Sequence, residues 1–132
     1  MYKRQAVLRG EGLSPNSQNE MLSPQVKITA KYQFPTQFPE DTNANDAIGL
    51  AYGLGWGLFE SNFGPAFFKE GHDDGTNNYA LCLTDAGRCI LILSNSSNGE
   101  SIFLYLVDSL LGETGLPWEW EGYVPYDVEY QR

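Results

Sequence analysis

The spacing of apolar residues in the second half of the chain predicts a hairpin followed by an amphipathic helix. Residues 79–83 and 89–93 are apolar runs on either side of a turn, and an unbroken apolar second arm is typical of a strand covered on both faces. The pattern Ser97-Asn98-Gly99-Glu100 predicts a capping box that opens a helix, and Gly112 ends it. The apolar residues of that helix recur at the spacing of one wide stripe: Ile102, Phe103, Leu106, Val107, Leu110 and Leu111.

The first half of the chain predicts shorter elements around a polar loop. Residues 6–9 are typical of the end of a helix, and Ser14-Pro15 supplies the cap and first-turn proline of a second helix that ends near Leu22. Further along, the patterns predict a strand over 25–32, a loop over 33–47 and a hairpin joining 50–60 to 65–70. Together these elements predict an α+β fold, in which an antiparallel sheet carries a C-terminal helix packed on it, while the tail 117–121 lies across the surface.

Composition narrows the function classes. A chain of 132 residues that is 42% hydrophobic can bury one core. A net charge of −9 with only 8 Lys and Arg argues against nucleic acid as a partner, and no apolar run approaches the length of a membrane span. Cys82 and Cys89 are too few for a zinc site, so we expect buried apolar cysteines, with a disulfide across their hairpin as the alternative.

Residues 67–79 carry the most specific chemical pattern. Phe67-Phe68-Lys69-Glu70-Gly71 and the loop after it resemble the Lys-Thr-Gly strand and loop of serine β-lactamases, penicillin-binding proteins and their esterase relatives. Upstream, Tyr52-Gly53-Leu54-Gly55-Trp56-Gly57 resembles the Gly-Trp-Gly strand of that family. Two strands and a terminal helix follow in the family's order. The resemblance implies a partial β-lactamase/transpeptidase-like fold and a serine hydrolase that acts through an acyl-enzyme.

Two motifs of the family are missing from this sequence. No serine has a lysine three residues later, and no tyrosine is followed two residues on by asparagine or serine. The first five residues match the translated end of a transposon used to fragment DNA, the alternative being an ordinary basic N-terminus. We therefore predict that residues 1–5 are a library or cloning scar. Residues 6–132 are then the C-terminal portion of one hydrolase domain, inactive alone.

The resemblance assigns roles to residues of the Lys-x-Gly strand. His72 follows the glycine and would donate its backbone N–H to the oxyanion, while Lys69 would line the cleft and polarise the nucleophile. Gly71 and Gly75 would allow substrate to approach the backbone closely. If the histidine variant of the motif were matched through His72, Asp74 would occupy the glycine position, so the alignment through Lys69 is preferred.

Three acids set the expected substrate class. Glu70 replaces the threonine that helps bind a β-lactam carboxylate in the family, and Asp73 and Asp74 follow. Because like charges repel, we expect poor β-lactam turnover and an ester, amide or peptide substrate that is neutral or cationic at this point.

Other roles of this segment are weaker. His72 is the single histidine, so a general base is an alternative to a plain hydrogen bond with Asp73 or Asp74. The acidic run 72–78 lacks the glycine and glutamate positions of a calcium loop, so no metal is expected, and no cofactor is implied.

Two different functions compete with the hydrolase. The first is a free-standing carbohydrate-binding or interaction module, which the 3 Trp and 8 Tyr would suit. The second is a regulator that pairs with a separate chain carrying the serine half. Strands whose neighbours are missing would leave an open sheet edge, so we also expect self-association through that edge. The compartment stays open in all three cases.

Overall fold

The computed structural model describes residues 2–37 and 40–127, with side chains from residue 6 onward. The elements along these residues are α1 Tyr2–Arg9, α2 Pro15–Met21, β1 Val26–Lys27, β2 Ala51–Tyr52, β3 Gly57–Ser61, β4 Gly64–Asp73, β5 Thr76–Leu83, β6 Arg88–Ser94, α3 Phe103–Leu111 and α4 Trp118–Glu121. The predicted second helix is confirmed, because the Ser14 hydroxyl accepts the N–H of Ser17 and Pro15 opens the first turn.

All six strands form one antiparallel sheet in the order of the sequence. The longest pairing joins β4 to β5 over residues 66–73 and 76–83. The chain is therefore an α+β protein with an antiparallel sheet and a C-terminal helix, as the apolar pattern predicts.

The loop expected after Gly71 is instead part of a hairpin. β4 continues through His72 to Asp73, and only Asp74 and Gly75 lie outside the strands. Gly75 has φ 78°, a conformation that side chains disfavour. The acidic residues therefore sit on a rigid strand end and a tight turn.

Two predicted strands are shorter in the structure. Of residues 25–32, only Val26 and Lys27 form a strand, and both are exposed. The segment 50–60 is split, because the backbone turns back at Gly53, whose N–H donates to Trp56 O at 2.9 Å. A side chain at Gly53 would meet the Met21 carbonyl at the end of α2, so the close approach of α2 explains this interruption.

The capping box predicted before α3 is wrong. Asn98 makes no side-chain cap, and a turn of 3₁₀ helix, Gly99–Ile102, leads into α3. The Ser97 hydroxyl instead accepts the N–H of Gly75 at 3.0 Å, which ties the hairpin turn to this segment. Gly112 does end α3, with φ 89°. Within the described ranges, no helix is long and apolar enough to cross a membrane.

Side chains on the two faces of the sheet form separate clusters. On one face, α3 and α4 pack on the strands through a large cluster that includes Phe59, Phe68, Tyr79, Leu81, Val107 and Trp120. On the other face, a smaller cluster of Leu58, Phe67 and Cys82 contacts Val7, Leu8 and Leu22. We call these the helix face and the opposite face.

The position of β6 and the state of the two cysteines differ from the prediction. β6 lies at the edge of the sheet, and Leu93 is 70% exposed, so the strand is not covered on both faces. Cys82 and Cys89 are directly paired across β5 and β6 and form a disulfide. The alternative of a disulfide across the hairpin is therefore the correct one.

Alanine substitutions at two strand glycines test how closely the side chains pack on the sheet. A Cβ at Gly57 would lie 2.4 Å from the ring of Phe68, whereas a Cβ at Gly71 would have no neighbour within 4 Å. Gly57→Ala should lower the free energy of unfolding by about 1 to 3 kcal/mol because a buried ring must move. Gly71→Ala should leave it unchanged or raise it by up to about 1 kcal/mol. Urea unfolding measures both, and equal effects would contradict the packing described.

Candidate functional site

The second half of β4 has a strand on one side only. The pairing of β3 with β4 ends at Gly57 and Phe68, while β4 continues with β5 as far as Asp73. Residues 69–73 thus form an open edge inside the sheet. We call this segment the β4 open edge.

The backbone groups that face this opening follow from the hairpin register. Ser61 and Gly64 flank the two-residue turn between β3 and β4, so the flanking pair exchanges both hydrogen bonds and every second residue of β4 points the same way. Counted from Gly64, the N–H and C=O of Glu70 and His72 point toward the side where β3 has ended. These are the backbone groups that the β4 open edge offers to a ligand.

Side chains along the β4 open edge alternate between the two faces. Glu70 and His72 share the helix face with Phe68, and they lie opposite Tyr79 and Asn77 of β5. Lys69 falls on the opposite face, in the row of Phe67. The structure therefore separates the Lys69 side chain from the side chains of Glu70 and His72.

On the opposite face, Lys69 is exposed to solvent. Gly71 is exposed and lies in the same row as Lys69, and a Cβ added there would meet no atom. There is therefore free space next to the backbone of Gly71 on this face. Gly75 serves the hairpin turn instead, since its φ is positive and its N–H is bound to Ser97.

On the helix face, the β4 open edge borders an acidic cavity of about 630 Å³. Among the described residues, no Lys or Arg side chain lines it, while His72 does. The carboxylates that line it come from the strand end, the 3₁₀ turn and α4: Glu70, Asp73, Asp74, Glu100 and Glu121. The local field therefore favours a cationic or neutral ligand over an anion.

The loop before β2 forms the rim of this acidic cavity. Gln33 donates from Nε2 to the Glu70 carboxylate, and its N–H donates to Trp120 O at 2.7 Å. Phe34 meets the His72 ring edge to face, with centroids 6.1 Å apart. No hydrogen bond from His72 to Asp73 or Asp74 occurs in the described chain, so its contact is aromatic rather than the expected loop hydrogen bond.

Glu121 is the buried acid of the site. The Tyr79 hydroxyl donates to its two oxygens at 2.9 and 3.1 Å. Burial, reinforced by the charges of Glu70 and Glu100, raises the pKa of Glu121 from its ordinary value of 4.5 to about 8. Burial also raises the pKa of Tyr79 well above its ordinary value of 10.0. Glu121 therefore holds its proton at neutral pH.

Sequence reasoning found part of this arrangement. Glu70, His72, Asp73 and Asp74 come together at the acidic cavity, and Gly71 lines a smaller, water-sized cavity beside it. Residues of distant segments were missed: Gln33, Tyr79, Glu100 and Glu121. For Glu121 the sequence did hold one signal, the alternation of tryptophan and acid in Trp118-Glu119-Trp120-Glu121. An acid next to a buried aromatic ring can itself become buried.

Comparison with protein-family models, with curated proteins and with solved structures finds no match for this chain. In the described ranges, no group of three or more His, Cys, Asp or Glu side chains could hold a metal ion.

The raised pKa of Glu121 predicts a stability that falls as pH rises. The folded state keeps the Glu121 proton up to about pH 8, whereas the unfolded state loses it near its ordinary value of 4.5. Between these values the folded state binds more protons, so its stability declines with pH. We expect a loss of about 4 kcal/mol between pH 5 and pH 8.5 from this residue, since each pKa unit corresponds to roughly 1.4 kcal/mol.

Urea unfolding across that range checks the Glu121 prediction. Glu121→Gln keeps an acceptor for the Tyr79 hydroxyl and should remove that part of the slope. Glu119→Gln, at an exposed position on the same short helix, is the matched control and should keep the slope. Parallel profiles for the wild type and Glu121→Gln would contradict the buried, protonated acid.

Proposed function

We propose that this chain is the C-terminal part of a serine hydrolase related to β-lactamases, penicillin-binding proteins and their esterase relatives. It would supply an oxyanion donor and one wall of the substrate site, while the serine nucleophile and its base lie in a different segment. The observation that carries the proposal is the β4 open edge, where a strand bearing Lys-x-Gly leaves the backbone of His72 without a neighbouring strand.

The chemistry of acyl transfer explains why such an edge is useful. The developing oxyanion needs N–H donors that are fixed before the reaction, and a strand held on one side by β5 provides a rigid donor. The N–H of His72 points out of the open side in the plane of the sheet, so it is reachable from either face. A substrate bound at this edge would meet that donor without displacing any strand.

The position of Lys69 indicates from which face the nucleophile would approach. Lys69 and Gly71 lie on the opposite face, where there is free space next to the backbone. A serine that approached from this side would meet the Lys69 ammonium and the His72 N–H together. In this arrangement His72 acts through its backbone, and its side chain stays on the helix face against Phe34.

The acidic cavity supports a substrate that is neutral or cationic. Glu70, Asp73 and Asp74 lie beside the proposed oxyanion donor, and Glu100 closes the same cavity. A substrate carboxylate would be repelled here, whereas an ammonium or guanidinium group would be attracted. We therefore propose an ester, amide or peptide with such a group, and poor turnover of β-lactams.

A non-enzymatic carbohydrate-binding or interaction module is the second candidate. The observation in its favour is that Tyr32 and Phe34 are 42% and 57% exposed near the rim of the acidic cavity, since sugars stack on exposed rings. The single sheet with helices on it differs from the two-sheet sandwich that is usual for such modules. Binding of a polysaccharide by this chain, with no hydrolase activity in the complete reading frame, would favour the module.

The chain alone should not react as a serine hydrolase. Incubation with a fluorophosphonate probe, followed by mass spectrometry, should show no adduct on any of its serines, because no serine has a neighbouring lysine base. Labelling of one serine that is lost on heat denaturation would contradict the proposal, since it would place a working nucleophile within this chain.

The oxyanion role can be tested at His72 in the complete reading frame. His72→Pro removes the outward N–H without removing a bond to β5, so kcat for ester hydrolysis should fall by about 10² to 10³. His72→Ala keeps the N–H and is the matched control, with kcat expected within about threefold of the wild type. A loss of equal size in the alanine variant would assign the role to the imidazole instead.

A further inference from the structure

β6 is one of the two terminal strands of the sheet, and it is the longer of the two. β6 pairs with β5 on one side, and no strand of the described chain pairs with its other side. No charged residue lies between Cys89 and Ser94. We propose that this edge, with the adjoining flank of α3, is a homodimer interface in which the β6 strands of two copies pair antiparallel around Leu91.

The register of the sheet determines which backbone groups are available at this edge. Asp73 and Thr76 flank the two-residue turn between β4 and β5 and so exchange both hydrogen bonds. Alternation along β5 then directs every second residue from Asn77 toward β6, where the partners are the even-numbered residues 88–94. The N–H and C=O groups of the three odd-numbered residues point outward: Cys89, Leu91 and Leu93.

A two-fold axis through Leu91 would pair all of these outward groups. Leu91 would face its own copy, and Cys89 would face Leu93 of the second copy, which gives about six hydrogen bonds at two for each such pair. In the same register Arg88 faces Ser94 of the second copy. No like charges meet along the strand, so the edge is complementary to itself.

The exposed flank of α3 continues this surface on the helix face. Phe103, Val107 and Leu111 of α3 face the sheet. The Tyr123 hydroxyl donates to Ser101 O at 2.7 Å and accepts the N–H of Leu104 at 3.3 Å, so the C-terminal tail occupies the Leu104 flank.

Trp120 packs on Phe68 of β4, so the tail lies on the β4 side of α3. The other flank of α3, which carries Leu106 and Leu110, therefore faces the outer edge of β6. Leu110 is 64% exposed.

The Arg88 side chain donates to Leu111 O at 3.3 Å, so Leu110 lies near the Arg88 end of β6. A two-fold axis through Leu91 and perpendicular to the sheet would therefore lay the two apolar flanks side by side in antiparallel order while the strands pair, with Leu110 of each copy against the beginning of α3 of the other. Strand edge and helix flank would thus be buried by the same operation, which is what favours a second copy over a lone extended peptide.

The size of the interface predicts a weak and reversible dimer. A seven-residue strand is about 23 Å long, and one sheet layer with one helix layer is about 20 Å thick. The buried area is then roughly 900 Å² in total, slightly below the roughly 1,000 Å² that a stable specific interface buries. Because each copy carries a net charge of −9, repulsion opposes pairing at low salt, and added salt should strengthen the dimer.

Sedimentation equilibrium between about 1 and 300 μM tests this interface, and a dissociation constant within that range is expected for this area. Leu110→Lys should weaken the dimer at least about tenfold, because each copy would bury an ammonium group against the apolar α3 flank of the other. Tyr105 is also exposed on α3, at 61%, but it points away from both flanks. Tyr105→Lys is therefore the matched control, with a change of less than about twofold. A monomer at 300 μM, or equal effects of the two variants, would overturn the proposal.

Amide hydrogen exchange gives a second readout that does not depend on a variant folding. The outward N–H groups of Cys89, Leu91 and Leu93 should be protected at high protein concentration and exchange rapidly at low concentration. The inward N–H groups of Ile90 and Ile92 should be protected at both. If the outward groups exchange rapidly while the protein sediments as a dimer, the interface lies elsewhere and the proposal fails. The interface rests on the β6 edge alone, so neither result depends on the proposed hydrolase function.

Discussion

The pairing of β4 with β5 is the constraint on which the rest of the structure depends. Phe68, Tyr79 and Leu81 lie on the same face of this pair and are almost fully buried under α3 and α4. A slip of one residue would turn these rings to the opposite face, so burial fixes the register. The same register sends Glu70 and His72 to the helix face, Lys69 to the opposite face and the backbone of His72 to the open side.

The buried acid at the open end of the helix face lowers the stability of the fold. Glu121 is buried against Tyr79 with other carboxylates nearby, and the charge of Lys69 offsets the rise of its pKa only in part. An apolar residue would fill this position more stably, since a buried acid must keep its proton or lose hydration. Groups with perturbed pKa values are concentrated at functional sites. The tail therefore contributes to the candidate site, since its Glu121 lines the acidic cavity together with Glu70.

Sequence patterns anticipated the elements with strong local signals. Two apolar runs around a turn indicated the hairpin of β5 and β6, Ser14-Pro15 indicated the start of α2, and Gly112 indicated the end of α3. The patterns failed where distant contacts decide the conformation. The Ser97 hydroxyl binds the turn at Gly75 instead of capping a helix.

Three acids at the end of β4, Glu70, Asp73 and Asp74, were predicted to lie together, and they line one cavity with His72. The face on which each side chain lies could not be predicted, because the predicted strand stopped at residue 70 and the alternation beyond it was unknown. Glu121 and Gln33 were missed for a related reason. They reach the site only through tertiary packing of the tail and of the loop before β2, for which the sequence holds no local signal.

The central claim is that the β4 open edge is one part of an acyl-transfer site whose nucleophile lies in a different segment. The most direct measurement is the nucleotide sequence of the source DNA upstream of Ala6. We predict an open frame that continues upstream and encodes Ser-x-x-Lys and Tyr-x-Asn-like motifs. A stop codon directly before Met1, with no such motifs encoded upstream, would contradict the claim and leave binding or assembly as the function.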